Sequence, residues 1–135
     1  MDTVADLMVK DVLTVDPSDT IGEAAEKMNA ANVGAVVVVE DFVRIVGIVT
    51  ERDLMRAVAA RARAAEARVR QWMTVDPITI GPETTIDEAA QIMFERNFRH
   101  LPVTNKDGRL LGIVSLRRLS QWEFEHGKES VGPAH

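Results

Sequence analysis

The chain repeats itself. Shifting the sequence by 65 positions (79 − 14 = 65) lays residues 7–54 on residues 72–119 without a gap, and 18 of those 48 pairs are identical. Thr14 falls on Thr79, Pro17 on Pro82, Thr20 and Ile21 on Thr85 and Ile86, and Gly47, Ile48 and Val49 on Gly112, Ile113 and Val114. One structural unit therefore occurs twice, and any fold assigned to the first half must also hold for the second.

Taken in order, each copy opens on a short apolar stretch (Leu13 to Val15; Ile78 to Ile80) ahead of a Pro-containing turn, which predicts a brief strand entering a loop. Thr20 with Glu23, and Thr85 with Glu88, have capping-box spacing. Behind them Ile21, Ala24, Ala25 and Met28, or Ile86, Ala89, Ala90 and Met93, form one face of a helix that Asn32 or Asn97 should stop. Val36 to Val39 and Leu101 to Val103 read as buried strands, each pairing antiparallel with the next run, Val43 to Val49 or Arg109 to Val114. Asp107 and Gly108 suit the second hairpin's turn. A closing helix should carry Leu54, Met55, Val58, Ala59 and Ala62, or Leu119 and Trp122. The unit is strand, helix, strand, strand, helix.

This reading divides the chain into a first motif at 1–62, a linker helix at 63–75, a second motif at 76–122 and a tail at 123–135. The linker is rich in Ala, Arg and Glu, which are good helix formers. The tail is polar, contains Gly and Pro and has no apolar period, so mobility is expected.

Chemistry collects at Gly47 to Leu54, where an apolar run passes into a helical pattern through Thr50, with Asp53 three residues on. Such a corner aims backbone N–H groups, a hydroxyl and a carboxylate at one spot, which suits a phosphate or a sugar diol. It is equally close to a capping box, which satisfies a helix start and binds nothing.

The net charge of −5 argues against an unaided grip on nucleic acid or an anionic membrane. The absence of cysteine removes disulfides and thiol chemistry, the first residues are acidic where a signal peptide would be basic, and no apolar run approaches membrane-spanning length. A cytoplasmic protein is expected. Catalysis is not expected: there is no Cys or Tyr, two of the three His fall at 126 and 135, and no cluster has metal-ligand spacing.

Two gapless copies, each running from an apolar-Thr-apolar start through a helix to Gly-Ile-Val-Thr/Ser-x-x, resemble a pair of CBS motifs, named for cystathionine β-synthase, over about residues 5 to 122. Thr50 and Asp53 match the family's pattern, as does the entry Leu101, Pro102, Val103. The resemblance implies an α/β (α+β) fold of two pseudo-symmetric motifs with sheets packed around a pseudo-two-fold axis, and a ligand-binding regulatory module with no cofactor rather than an enzyme. It also implies a cleft for an adenosine nucleotide (AMP, ADP or ATP), with S-adenosylmethionine and NAD as other candidates. Asp53 would hold the ribose hydroxyls, Thr50 would lie near ribose and phosphate, Thr14 and Val15 would flank the base, and Arg99, His100 and Arg117 would meet phosphate. Guanidinium forks match phosphate oxygens. Arginines on a surface are also commonly just solvated.

The copies depart from one another in two places. Arg118 stands where the first copy has Asp53, and Gly34 and Ala35 stand where the second has Arg99 and His100. One cleft should therefore gather both the acid and the basic residues. An Arg in the first turn of a helix opposes the dipole, so an acid needed only as a cap would be poorly replaced by it.

Phe94 flanks the second helix's apolar face and Phe98 follows it, where the first copy has Asn29 and Val33. Uncovered apolar helix surface predicts a homodimer. The alternative to a sensor is a structural dimerisation module with a vestigial cleft, and an unidentified regulated protein is a further expected partner.

Overall fold

The structure, a computed structural model, describes residues 2–126. Strand β1 (Thr14–Val15), helix α1 (Ile21–Ala31), strands β2 (Ala35–Glu40) and β3 (Arg44–Thr50) and helix α2 (Glu51–Ala59) follow the expected order in the first copy. After α3 (Val69–Trp72) and β4 (Thr74–Val75), the second copy supplies α4 (Ile86–Arg96), β5 (His100–Thr104), β6 (Leu110–Ser115) and α5 (Leu116–His126). The sheets have the order β1-β2-β3-β4 and β5-β6, with both hairpins antiparallel. Equivalent residues Arg44 and Arg109 (109 − 44 = 65) bridge one another, which puts that contact on the pseudo-two-fold axis.

The local signals act as read. Thr20 and Thr85 cap α1 and α4 in reciprocal boxes with Glu23 and Glu88, and Asn32 and Asn97 end these helices in left-handed conformation. Gly108, at φ 81°, closes the second hairpin, and the Asn105 side chain accepts from two backbone N–H groups of that turn. β2 lies between β1 and β3 and is buried from Ala35 to Val39, which is why it reads as an unbroken apolar run rather than an alternating one.

Packing does not follow the sequence boundaries. Val4 and Leu7 sit in the second copy's core with Ile80, Ile86, Met93, Leu101 and Leu119, and Val9 pairs with Ile113. Val69, the repeat equivalent of Val4, sits in the first copy's core with Val15, Met28, Val36 and Val49, while β4 pairs with β3. Each sheet is thus completed by the segment that leads into the other copy's motif.

Four sequence expectations are corrected. The 63–75 segment is not one helix. Arg61, at φ 64°, ends α2 in a Schellman turn in which Ala62 N donates to Ala57 O (3.0 Å) and Arg61 N to Val58 O (2.9 Å), and helix resumes for only four residues. The α2 face is also rotated. Asp53 and Ala57 are buried, while Met55 and Val58 are 63% and 68% exposed.

Ile78 to Ile80 keeps only a bridge from Ile80 to Val103. In the first copy Val37 N donates to Leu13 O (3.1 Å), but the equivalent of Val37 is Pro102, which has no N–H to offer Ile78. At the other end, α5 continues through 123–126, so that part of the tail is helical; residues 127–135 lie outside the described residues.

Candidate functional site

A cleft of about 530 Å³ opens where the first copy's β3 passes into α2. From the first copy it is lined by Gly34, Ile48, Thr50, Glu51, Arg52, Asp53 and Met55. The second copy adds Arg96, Asn97, Phe98, Arg99 and His100 from the end of α4 and the start of β5, and the connecting segment adds Thr74, Pro77 and Ile78. The two copies approach closely because Gly34 has no side chain. A Cβ there would stand 3.0 Å from Glu51 Oε1 and 3.3 Å from the His100 ring.

The α2 corner is a complete capping box. Asp53 N donates to Thr50 Oγ1 (3.4 Å), and Thr50 N donates back to Asp53 Oδ2 (2.9 Å). Asp53 is only 3% exposed, and Arg56 Nη1 donates to its Oδ1 at 2.8 Å. Burying a carboxylate without such partners is costly.

Arg52, Arg96 and Arg99, by contrast, line the cleft with no hydrogen bond or ion pair from their side chains among the described residues. Three guanidiniums thus gather in one concavity that also holds the carboxylates of Glu51 and Asp53, on a protein whose net charge is −5. Burial pushes the His100 imidazole below its ordinary 6.5, while Glu51 draws it up and Arg99 pushes it down. Ile48, Met55, Pro77, Ile78 and Phe98 give the cleft its apolar part.

Of the expected site residues, Thr50, Asp53, Arg99 and His100 come together here. Thr14 and Val15 do not. They pair in parallel with Val37 and Val38 inside the first sheet, and the cleft takes Pro77 and Ile78 from the second copy instead. Arg117 does not line the cleft either. Its repeat equivalent Arg52 (117 − 52 = 65) does, next to Asp53 at the start of α2.

The 65-residue offset could have identified Arg52, and Pro102 could have signalled the freed Ile78. Arg96 and Thr74 had no local signal. Phe98, assigned to an uncovered patch, instead packs against the second core and lines the cleft.

The sister corner differs chemically. Ser115 Oγ still accepts from Arg118 N (3.0 Å), but Arg118 Nε donates to Leu7 O (3.1 Å), tying down the exchanged segment. At the positions equivalent to Thr74, Arg96, Phe98, Arg99 and His100 stand Val9, Ala31, Val33, Gly34 and Ala35.

Among the described residues no helix is long and apolar enough to cross a membrane, and no group of three or more His, Cys, Asp or Glu is placed to hold a metal ion.

The profile of the family described as CBS domain matches residues 4–60 and 69–124. The chain is 35% identical over 134 residues to the CBS domain-containing protein YhcV of Bacillus subtilis, covering 99% of this chain and 93% of that protein. It is similar, at TM-score 0.79 and 30% identity over 86% of this chain and 88% of the other, to the CBS domain protein PAE2072 from Pyrobaculum aerophilum complexed with AMP. It is also similar to the CBS domain pair of protein MJ0100 in complex with 5′-methylthioadenosine and S-adenosylmethionine, at TM-score 0.82 and 27% identity over 89% and 98%.

Proposed function

The chain belongs to the CBS-domain family as a tandem pair, and from that premise we propose that it is a regulatory module that binds an adenine nucleotide in the Asp53 cleft. The observation that carries this reading is the set of residues that one cleft brings together. The helix-start corner that carries Asp53 shares the cleft with Arg96 and Arg99, and Arg52 stands on the corner itself.

Asp53 receives the ribose diol. Arg52 and Arg99 meet phosphate, with Thr50 and His100 beside them, and the base lies among Ile48, Met55, Pro77, Ile78 and Phe98. The Ile78 carbonyl, which has no Pro102 N–H to meet, is available to an exocyclic amine. The three arginines favour AMP, ADP or ATP over the positively charged S-adenosylmethionine. The module is not an enzyme on this reading. It works in the cytoplasm as a homodimer whose arrangement reports occupancy to a regulated protein.

One observation favours the structural alternative, a dimerisation module with a vestigial cleft: Asp53 accepts hydrogen bonds from Thr50 N and Arg56 Nη1 within the protein. Calorimetric titration with AMP, ADP, ATP, S-adenosylmethionine and adenosine separates the two. The sensor reading expects saturable binding, one site per chain, with the phosphorylated ligands ahead of adenosine. A chain that binds none of the five leaves the structural reading.

A further inference from the structure

Four hydrogen-bond donors converge on the Asp53 carboxylate. Thr50 N (2.9 Å) and Thr50 Oγ1 (3.2 Å) donate to Oδ2, and Arg56 Nη1 (2.8 Å) donates to Oδ1. Thr74 Oγ1 lies 3.3 Å from Oδ1 and 3.5 Å from Oδ2. An ionised carboxylate offers about four acceptor positions, so this one is saturated. A ribose diol needs two of them, and two donors must therefore turn away before Asp53 can hold the sugar.

The donors are not equally free to go. Thr50 N is backbone and belongs to the first turn of α2. Arg56 does not line the cleft, and its guanidinium also lies 5.8 Å from the centre of the Trp72 ring. Thr50 and Thr74 do line the cleft, and each hydroxyl leaves by rotation about a single bond.

We infer that Thr74 is an internal competitor for the ligand's diol. Its hydroxyl sits against the Asp53 carboxylate and gives way when ribose enters. The Thr50 hydroxyl turns with it, and Arg56 stays as the positioning residue that holds the carboxylate in place. The inference rests on the Asp53 cleft being the nucleotide site.

Its consequence is a link between occupancy and the contact between the copies. Thr74 lies in β4, which is paired to the first copy's β3 and runs on to Pro77 and Ile78 of the cleft wall. Ligand entry thus unties that segment from the α2 corner. The sister copy has Val9 at the equivalent position, paired through its backbone with Ile113, so a valine there is compatible with the fold.

The test is calorimetric titration of the full chain with AMP and 2′-deoxy-AMP, for the parent, Thr74→Val and Thr74→Ser. The parent should prefer AMP. Thr74→Val should bind AMP about two- to tenfold more tightly, the factor for one hydrogen bond no longer given up, and Thr74→Ser should return to the parent's affinity. If Thr74→Val fails to fold, Thr74→Ala carries the same expectation. A hydroxyl-free variant that binds AMP no more tightly than the parent, with the preference for AMP over the deoxy analogue intact, overturns the competitor role and leaves the Asp53 site standing. A parent that binds neither ligand, or both equally, overturns the Asp53 site and the inference with it.

Discussion

Gly34 leaves the space that the His100 ring occupies: a Cβ on Gly34 would lie 3.3 Å from both Cε1 and Nε2 of the imidazole. The contact joins the residue just before β2 in one copy to the first residue of β5 in the other, and both line the cleft. It also helps explain the half-burial that disfavours the charged imidazole.

That burial has a pH signature. Burial lowers the His100 pKa from 6.5, more than Glu51 raises it. Between the lowered folded value and 6.5 the unfolded chain holds a proton that the folded chain does not, so stability falls as pH drops through that window and the penalty is absent above it. His100→Gln should lose less melting temperature than the parent between pH 7 and pH 5.5. Parallel melting curves for the two proteins over that range would remove His100 as the source.

Asp53→Ala should cost stability as well as affinity. A helix-start acid acting only through the dipole contributes about 0.3–1 kcal/mol. This carboxylate instead completes a capping box, accepts from Arg56 and Thr74, and is buried. Its loss should lower unfolding free energy by about 1–3 kcal/mol, measured by urea titration. Arg118→Ala, which removes the bond to Leu7 O, should leave AMP binding unchanged, because that side chain serves the other corner.

Phosphate recognition should follow the geometry of the cleft. Arg52→Ala and Arg99→Ala should each narrow the gap between AMP and adenosine by about 1–3 kcal/mol, the scale of a charge-assisted hydrogen bond. Arg117→Ala should leave that gap as it is. Calorimetry on the three variants decides, and an effect confined to Arg117 would move the phosphate to the sister corner.

Exposed apolar side chains mark the expected dimer surface. Phe94 on α4 and Phe124 on α5 are each 87% exposed, and these two helices pack together. Joint replacement, Phe94→Asp with Phe124→Asp, should convert a dimer to a monomer at micromolar concentration by light scattering. A parent that already scatters as a monomer would rule out the assembly.

What the sequence by itself determined is whatever depends on neighbours in the chain. The caps at Thr20, Thr50 and Thr85, the left-handed stops at Asn32 and Asn97, the Gly108 turn and the apolar faces of α1 and α4 are set by one to four residues of local geometry, so they are legible in the sequence itself. The 65-residue repeat added the pseudo-symmetry. Pairing of Asp53 and Thr50 with Arg99 and His100 in one cleft was legible through the family resemblance and the asymmetry of the copies.

Only the tertiary structure decided which strand faces which cleft. The exchange of Val4 to Val9 and Val69 to Val75 between the two sheets is a choice between two equivalent partners, and a repeat with the same apolar pattern in both copies carries no local preference between them. That exchange brings Thr74, Pro77 and Ile78 to the Asp53 cleft and leaves Thr14 and Val15 within the first sheet. It also sets Thr74 against Asp53, 21 positions away. Long-range hydrogen bonding and packing, rather than local propensity, fixed the composition of the site.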